Sequence, residues 1–329
     1  MIQIYKKILI GQILNFKERL FMKKVLLAVM IVLSAAAGVA FAAEMPAAMG
    51  ITYVKAPLNI PSIVAKYNQA FEKAYPGVSL SFPEITEGPK QTAALAADEI
   101  GIASCLGSTS AILAASEGLD VKIIGIYSRA PKAFMIIVRD PAIKSVKDLR
   151  GKKVAGPKGT ILHQLLAAAL NKEGMSVKDV EFVQMDLSSG ANALSSGSVD
   201  AALLAGPAAY KALTSGARML KNGEGLVDAT IVIATTEKFA KKYPEAVSRF
   251  LKAHKNTIGW IKKNPDKAAE MTQKETGLPM EGVKMMTPWY DFDSKIRKSD
   301  MDELAKTQQF MIENGLQRNK IDVDSLIMR

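Results

Sequence analysis

The stretch KKVAGPKGTILHQLLAAAL, residues 152–170, decides the fold. Lys153-Val154-Ala155 reads as a strand, and Gly156-Pro157-Lys158-Gly159-Thr160 as the turn that ends it. Beyond the turn, Leu162, Leu165, Leu166, Ala169 and Leu170 recur at helical spacing. Strand, glycine turn and helix in that order form one α/β unit.

The same rhythm runs outward in both directions. Towards the N-terminus, residues 51–54, 78–82, 100–103 and 121–127 read as strands. Between them lie a helix with the stripe Ile60, Ile63, Val64, Tyr67 and Phe71, a helix opened by Glu87-Gly88-Pro89, and a helix started by Gly107-Ser108-Thr109-Ser110. The pattern restarts after Arg129-Ala130-Pro131, with strands at 134–138, 153–155, 180–185 and 201–204. Ser188-Ser189-Gly190 and Gly206-Pro207 open its later helices. A strand at 231–234 follows, and the remainder reads as helical. Strands alternating with helices predict α/β architecture, each sheet mostly parallel and flanked by helices.

No long linker parts the two units. The simplest arrangement is two lobes joined by crossings near 129–134 and 226–232. Lobe 1 comprises residues 43–131 and 229–329, and lobe 2 residues 132–228. Ligands of open α/β sheets sit outside the carboxyl ends of the strands. Those ends are expected to face a cleft between the lobes.

Several of the loops share a strand, a Gly or Pro turn, a hydroxyl residue and a helix start: Gly107-Ser108-Thr109, Lys158-Gly159-Thr160 and Ser188-Ser189-Gly190. Helix N-termini carry unpaired N–H groups and partial positive charge, which suits an anion. Lys158 or Arg129 would add full charge. Ordinary N-capping explains any one such loop as well. Glu87 is expected either to point at the ligand, where it would suit an ammonium group, or to lie on the surface. His163, in the first turn of its helix and off the apolar stripe, reads as a cleft-facing donor or an exposed side chain. His254 lies on an apolar stripe and reads as packed core. Trp289-Tyr290 reads as core or as a cover over the cleft.

Catalysis has little to work with. The chain has two histidines and one cysteine, with no metal-ligand cluster, nucleophile elbow or phosphate-cradling GK[ST] loop. No metal and no cofactor are expected. Cys105 lies in an apolar stretch with no charged neighbour in sequence, so it reads as a small buried hydrophobe.

The N-terminus carries an export pattern. Met22-Lys23-Lys24 is a basic start, residues 25–33 are an apolar run, and Ala40-Phe41-Ala42 is a cleavage signal. A signal anchor is the competing reading; the run falls short of the ~20 residues a bilayer needs. Met22 is expected to be the true start, with cleavage after Ala42. No cysteine follows the signal for lipid attachment. The formal charge of the chain is +11. Its first 42 residues hold six Lys/Arg and one Glu, which leaves +6 on the 287 that follow. Those basic residues are interleaved with acids, as in Lys238, Lys241 and Lys242 beside Glu237 and Glu245, and so do not form a nucleic-acid footprint.

Taken in order, several segments resemble one family over about residues 51–326. They are Ile100-Gly101-Ile102-Ala103 through Gly107-Ser108-Thr109, Val146 to Ala155, Lys158-Gly159-Thr160, Gly197-Ser198-Val199-Asp200-Ala201-Ala202, and Tyr243-Pro244 to Trp260-Ile261 with Asn264-Pro265. The family is that of ABC-importer substrate-binding proteins for aliphatic sulfonates, taurine, nitrate and thiamine precursors. The resemblance implies a type II periplasmic-binding-protein fold that closes by a hinge on a small anionic or zwitterionic solute. It implies ligand contacts at Leu58-Asn59, Gly88-Pro89, Gly107-Ser108-Thr109 and Lys158-Gly159-Thr160. Glu87 departs from it, standing where a small hydroxyl residue is common, and Leu204-Ala205-Gly206-Pro207 replaces a tryptophan-and-aspartate segment. The protein is therefore expected to be a periplasmic monomer that docks transiently on an inner-membrane permease. A secreted enzyme with His163 as base, or an extracellular sensor domain, are the other readings of the same fold.

Overall fold

The structure is a computed structural model that describes residues 44–56 and 58–328. The export signal, with its start at Met22 and cleavage after Ala42, lies outside the described residues. Residues 45–329 form one compact unit.

The described strands build two sheets. In the first, β1 (Ala48–Gly50) pairs in parallel with β2 (Ser79–Ser81), and β10 (Thr230–Thr236) lies between β3 (Ala103–Gly107) and β4 (Val121–Arg129). Thr52 N–H to Ile102 O (3.0 Å) and Gly101 N–H to Gly50 O (2.8 Å) join the two parts. The order is β2-β1-β3-β10-β4. The second sheet has the order β7-β6-β8-β5-β9, built from β5 (Phe134–Val138), β6 (Lys153–Gly156), β7 (Glu181–Gln184), β8 (Ala201–Ala205) and β9 (Arg218–Asn222).

These are one order written twice. In each sheet the fourth position holds the only antiparallel strand, and it is the strand by which the chain arrives from the other sheet. The chain leaves β4 through a single helical turn, Pro131–Ala133, and enters β5 directly. Residues 223–229 carry it back to β10. β9 is a strand the sequence does not announce. Arg218, Lys221 and Asn222 interrupt its apolar pattern, and it sits at a sheet edge where only β5 pairs with it.

The helices follow the expected rhythm: α1 (Ile60–Tyr67), α2 (Ala70–Ala74), α3 (Gly88–Ala96), α4 (Ser108–Ser116), α5 (Ile161–Lys172), α6 (Leu187–Ser196) and α7 (Gly206–Thr214). After β10 come α8 (Glu237–Lys242), α9 (Pro244–Lys263), α10 (Pro265–Thr276), α11 (Met280–Met286) and α12 (Lys298–Glu313). The stripe expected to be one helix through Phe71 is two. Gln69 turns left-handed at φ 52°, which breaks the helix. Phe71 nevertheless stays in the core, stacked on Phe250 at 4.8 Å between ring centroids. The predicted stripe of α5 is buried at all five positions. Burial of Leu162, Leu165, Leu166 and Leu170 contributes ~1.5–3 kcal/mol apiece.

Candidate functional site

A cavity of about 950 Å³ is lined by elements of both sheets. Its lining includes Val54 to Ala56 after β1, Glu84 to Gly88 after β2, Gly107 at the end of β3, Pro157 and Thr160 after β6, Asp186 after β7 and Ala205 at the end of β8. Phe134 and Ile231 line it from the amino ends of the two antiparallel strands. All these positions lie at the same edge of their sheets, where carboxyl ends of parallel strands leave room for a ligand.

Five helices begin at this cavity, and four of them, α3, α4, α5 and α7, have no side-chain cap on their first-turn N–H groups. The residues that would cap them are turned elsewhere. Thr160 precedes α5 but gives its hydroxyl to Pro157 O at 2.8 Å. Glu87 precedes α3 and pairs with Lys90 at 2.6 Å. Gly107 and Ala205 have no polar side chain to offer. α6 differs: Asp186 accepts from Ser189 N–H at 2.7 Å, so the protein's own carboxylate holds that helix start. The Ser188-Ser189-Gly190 loop, expected to be a third anion cradle, is already occupied in this sense.

Charge in the lining is largely paired. Lys55 meets Glu84 at 3.1 Å, and Lys90 meets Glu87. Hydrogen bonds from Ser189 and Ser188 hold the Asp186 carboxyl below the usual range. The helix starts are therefore the main unpaired positive feature. Val54, Ile85, Phe134, Leu187 and Ile231 supply an apolar wall.

The structure sorts the sequence-derived residues. Glu87, Gly88, Gly107 and Thr160 line the cavity. Gly88 has a packing reason as well, because a Cβ there would overlap Ser110 Oγ. Leu58 and Asn59 do not line it; both are fully buried, and Asn59 donates to Ala56 O at 2.8 Å. Ser108 is buried in the helix start, and Thr109 gives its hydroxyl to Gln164 at 2.8 Å. Arg129 is a correction. Its guanidinium reaches Asp300 and the carbonyls of Asp293 and Lys295, so it fastens the C-terminal segment to β4 and does not line this cavity. His163 is another, being neither exposed nor in this cavity. It stacks on Phe182 at 4.7 Å and accepts from Gly159 N–H through Nδ1. Lys158 and Gly159 open with it onto a neighbouring cavity.

Cys105 was missed as a lining residue. It stands two places before Gly107 on β3, and only that spacing could have pointed to it. Burial pushes its thiol up, against a smaller opposing effect of the Asn59 side chain, so the sulfur stays protonated. Trp289 is half-buried and packs against two apolar clusters, while Tyr290 is buried and stacks on Phe292. Among the described residues no cluster of His, Cys, Asp and Glu is placed to hold a metal ion.

Solved structures share this architecture. The periplasmic aliphatic sulphonate binding protein SsuA from Escherichia coli matches with a TM-score of 0.75 at 27% identity, over 87% of this chain and 93% of that one. The alkanesulfonate-binding protein SsuA from Xanthomonas axonopodis pv. citri, bound to MOPS, matches with a TM-score of 0.80 at 25% identity, over 87% and 100%. Two like sheets around one cavity, in this company, define a solute-binding protein rather than an enzyme. The chain belongs to the NMT1/THI5-like family, whose pattern it matches over residues 57–268. A Bacillus subtilis (strain 168) chain assigned as an aliphatic sulfonates-binding protein is 30% identical over 287 residues, 85% of this chain and 84% of that one. The taurine-binding periplasmic protein of Escherichia coli (strain K12) is 26% identical over 301 residues, 85% and 91%.

Proposed function

We propose that this protein captures a small organic sulfonate in the cavity between its sheets and delivers it to an ABC permease. The observation that carries the reading is the convergence of four uncapped helix starts, α3, α4, α5 and α7, on one cavity. Unpaired N–H groups suit the oxygens of an anion, and each helix start adds ~0.3–1 kcal/mol of electrostatic attraction. The apolar wall of Val54, Ile85, Phe134, Leu187 and Ile231 suits a carbon tail. A sulfonate head on a short alkyl body combines the two. Names of relatives that bind aliphatic sulfonates and taurine support the same chemistry.

In this reading the units around the two sheets are lobes, residues 43–131 with 229–329 and residues 132–228. They close on the ligand by bending at the two crossings. Glu87, Gly88, Gly107 and Thr160 contribute to the site, chiefly through backbone. In the same reading the protein works in the periplasm as a monomer, and the export pattern of residues 22–42 supports its passage there. Calorimetric titration with alkanesulfonates, taurine and alkylammonium ions tests the reading. Saturable one-to-one binding of a sulfonate is expected. Binding of the ammonium series with no response to any sulfonate would sink it.

A further inference from the structure

Glu275 stands where a helix disfavours an acid. It is the last residue but one of α10, at the end that carries partial negative charge. Its side chain is only 12% exposed. Two donors offset that cost. The Tyr53 hydroxyl donates to Glu275 Oε1 at 2.7 Å, and Lys66 Nζ donates to the same oxygen at 2.7 Å. The Lys66 ammonium also lies over the Tyr53 ring, 4.8 Å from its centroid. Burial pushes the Glu275 carboxyl up, but the bonds from Lys66 and Tyr53 outweigh it and hold the group below its usual range. Burial, and then the bond to Glu275, push the Tyr53 phenol far up, so it stays a donor.

Tyr53 is the stem of two cavity loops. β1 ends at Gly50 and β2 at Ser81, so both strands have finished before their loops reach the cavity. Past those ends Tyr53 N–H donates to Pro83 O at 2.8 Å, and Tyr53 pairs with Glu84 in an isolated parallel bridge. The chain runs from this pairing straight into Val54 to Ala56 on one side and Glu84 to Gly88 on the other, all in the cavity lining. Val54 and Ile85 are two residues of its apolar wall. The phenol ring anchors both loops, and Glu275, 222 residues further on, is what the anchor is tied to. Glu275 itself does not line the cavity.

We infer that Glu275 is a positioning residue for the choice of ligand: through Tyr53 it sets the spacing of loops 54–56 and 84–88, and with it the fit of Val54 and Ile85 to a carbon tail. The inference rests on the sulfonate reading for the identity of that ligand. The starts of α4, α5 and α7 lie on other loops. The head group keeps those contacts when the anchor is lost, and the change falls on the tail.

Calorimetry of the full processed chain with a series from ethanesulfonate to hexanesulfonate tests this, together with hydrogen exchange of the unliganded protein. In the unaltered protein each added methylene should raise affinity by up to about fourfold. In Glu275→Ala the gain should fall to about twofold, as for a wall that covers half of the tail. Amides of 53–56 and 84–88 should exchange about three- to tenfold faster in that variant, and those of 156–160 at an unchanged rate. Glu275→Gln keeps an acceptor for the phenol and loses only an ion pair to a half-exposed lysine, so it should behave as the unaltered protein. Tyr53→Phe should reproduce Glu275→Ala, and the double variant should be no worse than either alone. An undiminished gain per methylene in Glu275→Ala overturns the proposal. So does a Glu275→Gln protein as impaired as Glu275→Ala, or effects that add in the double variant. If the unaltered protein binds no sulfonate, the sulfonate reading fails. Faster exchange confined to the two loops then still supports the positioning role, and unchanged exchange overturns it.

Discussion

Gln164 and Thr109 join the two halves of the molecule. The Thr109 hydroxyl donates to Gln164 Oε1 at 2.8 Å, and the same amide donates to Thr307 Oγ1 at 3.2 Å. Gln164 belongs to α5 on the second sheet, whereas Thr109 and Thr307 belong to α4 and α12, which pack together beside the first. The amide is 5% exposed and lines neither cavity. It thus acts on the relation between the sheets and not on a ligand.

Gln164→Leu should therefore weaken sulfonate binding without touching the ligand. Two hydrogen bonds of about 0.5–1.5 kcal/mol each are lost between α5 and the pair α4 and α12. Affinity should fall about three- to tenfold, as the binding-competent fraction falls. Small-angle scattering of the unliganded variant should show a larger radius of gyration. An unchanged radius with unchanged affinity would refute this role.

Asp186 places a carboxylate on the cavity wall while capping α6. Asn caps a helix as well as Asp does, but without the charge. Asp186→Asn should tighten sulfonate binding by about two- to fivefold, the equivalent of the ~0.3–1 kcal/mol of a charge near a helix start. Its thermal midpoint should hardly move. Weaker binding in calorimetry would show that the carboxylate contacts the ligand favourably.

Arg129 and Asp300 form a bidentate pair, Nε to Oδ1 at 2.6 Å and Nη2 to Oδ2 at 2.5 Å, with Asp300 3% exposed. Asp300→Ala leaves the guanidinium half-buried with Asp291 as its remaining acid, at 3.4 Å. Such a change costs about 3–5 kcal/mol when the pair is buried. A denaturation midpoint shifted well below that of the unaltered protein is expected, with sulfonate affinity retained in the folded fraction. A loss of affinity without loss of stability would return Arg129 to the ligand site.

Glu303 lies on α12 against Asp228, in the return crossing to β10. Its Oε1 accepts from Asp228 N–H at 3.4 Å. Burial first, then the Asp228 charge, pushes its carboxyl up to about 7. A raised acid binds its proton more tightly when folded, so stability is lost as pH rises from ~4.3 through 7. The site is partly open to solvent, which screens the effect to about 1–2 kcal/mol. Glu303→Gln should remove that slope and be the more stable protein at pH 8. Parallel stability curves for the two proteins between pH 5 and 8 would count against it.

His254 is buried between Tyr127 and Phe250, its Nε2 has no partner, and burial holds it down at about 4. A base lowered on folding takes up protons on unfolding, so stability is lost as pH falls from ~6.5 through 4. His254→Phe keeps the stacking and deletes the titration. It should flatten the acid limb by as much as about 3 kcal/mol, read from chemical denaturation at pH 4 and pH 7. An acid limb unchanged by the substitution would exclude His254 as its source.

Much of the fold could be read locally. Strand and helix periods are properties of neighbouring residues, so 134–138, the stripe of α5 and the stripe of α9 fall where their side chains repeat. The elements that escaped were those with no period to show, β9 at a sheet edge and the left-handed break at Gln69. The helix starts at the cavity were also legible, since glycine turns before helices mark where N–H groups are left free.

Which polar side chains remain available was not legible, because a partner can lie anywhere in the chain. Arg129 finds Asp300 at a separation of 171 residues, and Thr109 finds Gln164 at 55. Both residue types suit an anion, and both are already satisfied by protein. Lys158 and His163 stand in the predicted turn and helix, yet packing aims them at a second cavity. The sequence by itself determined the two α/β units, because backbone periodicity is short-range. Only the tertiary structure decided which groups line which cavity, because a hydrogen bond made across the fold removes a group from use as surely as a substitution.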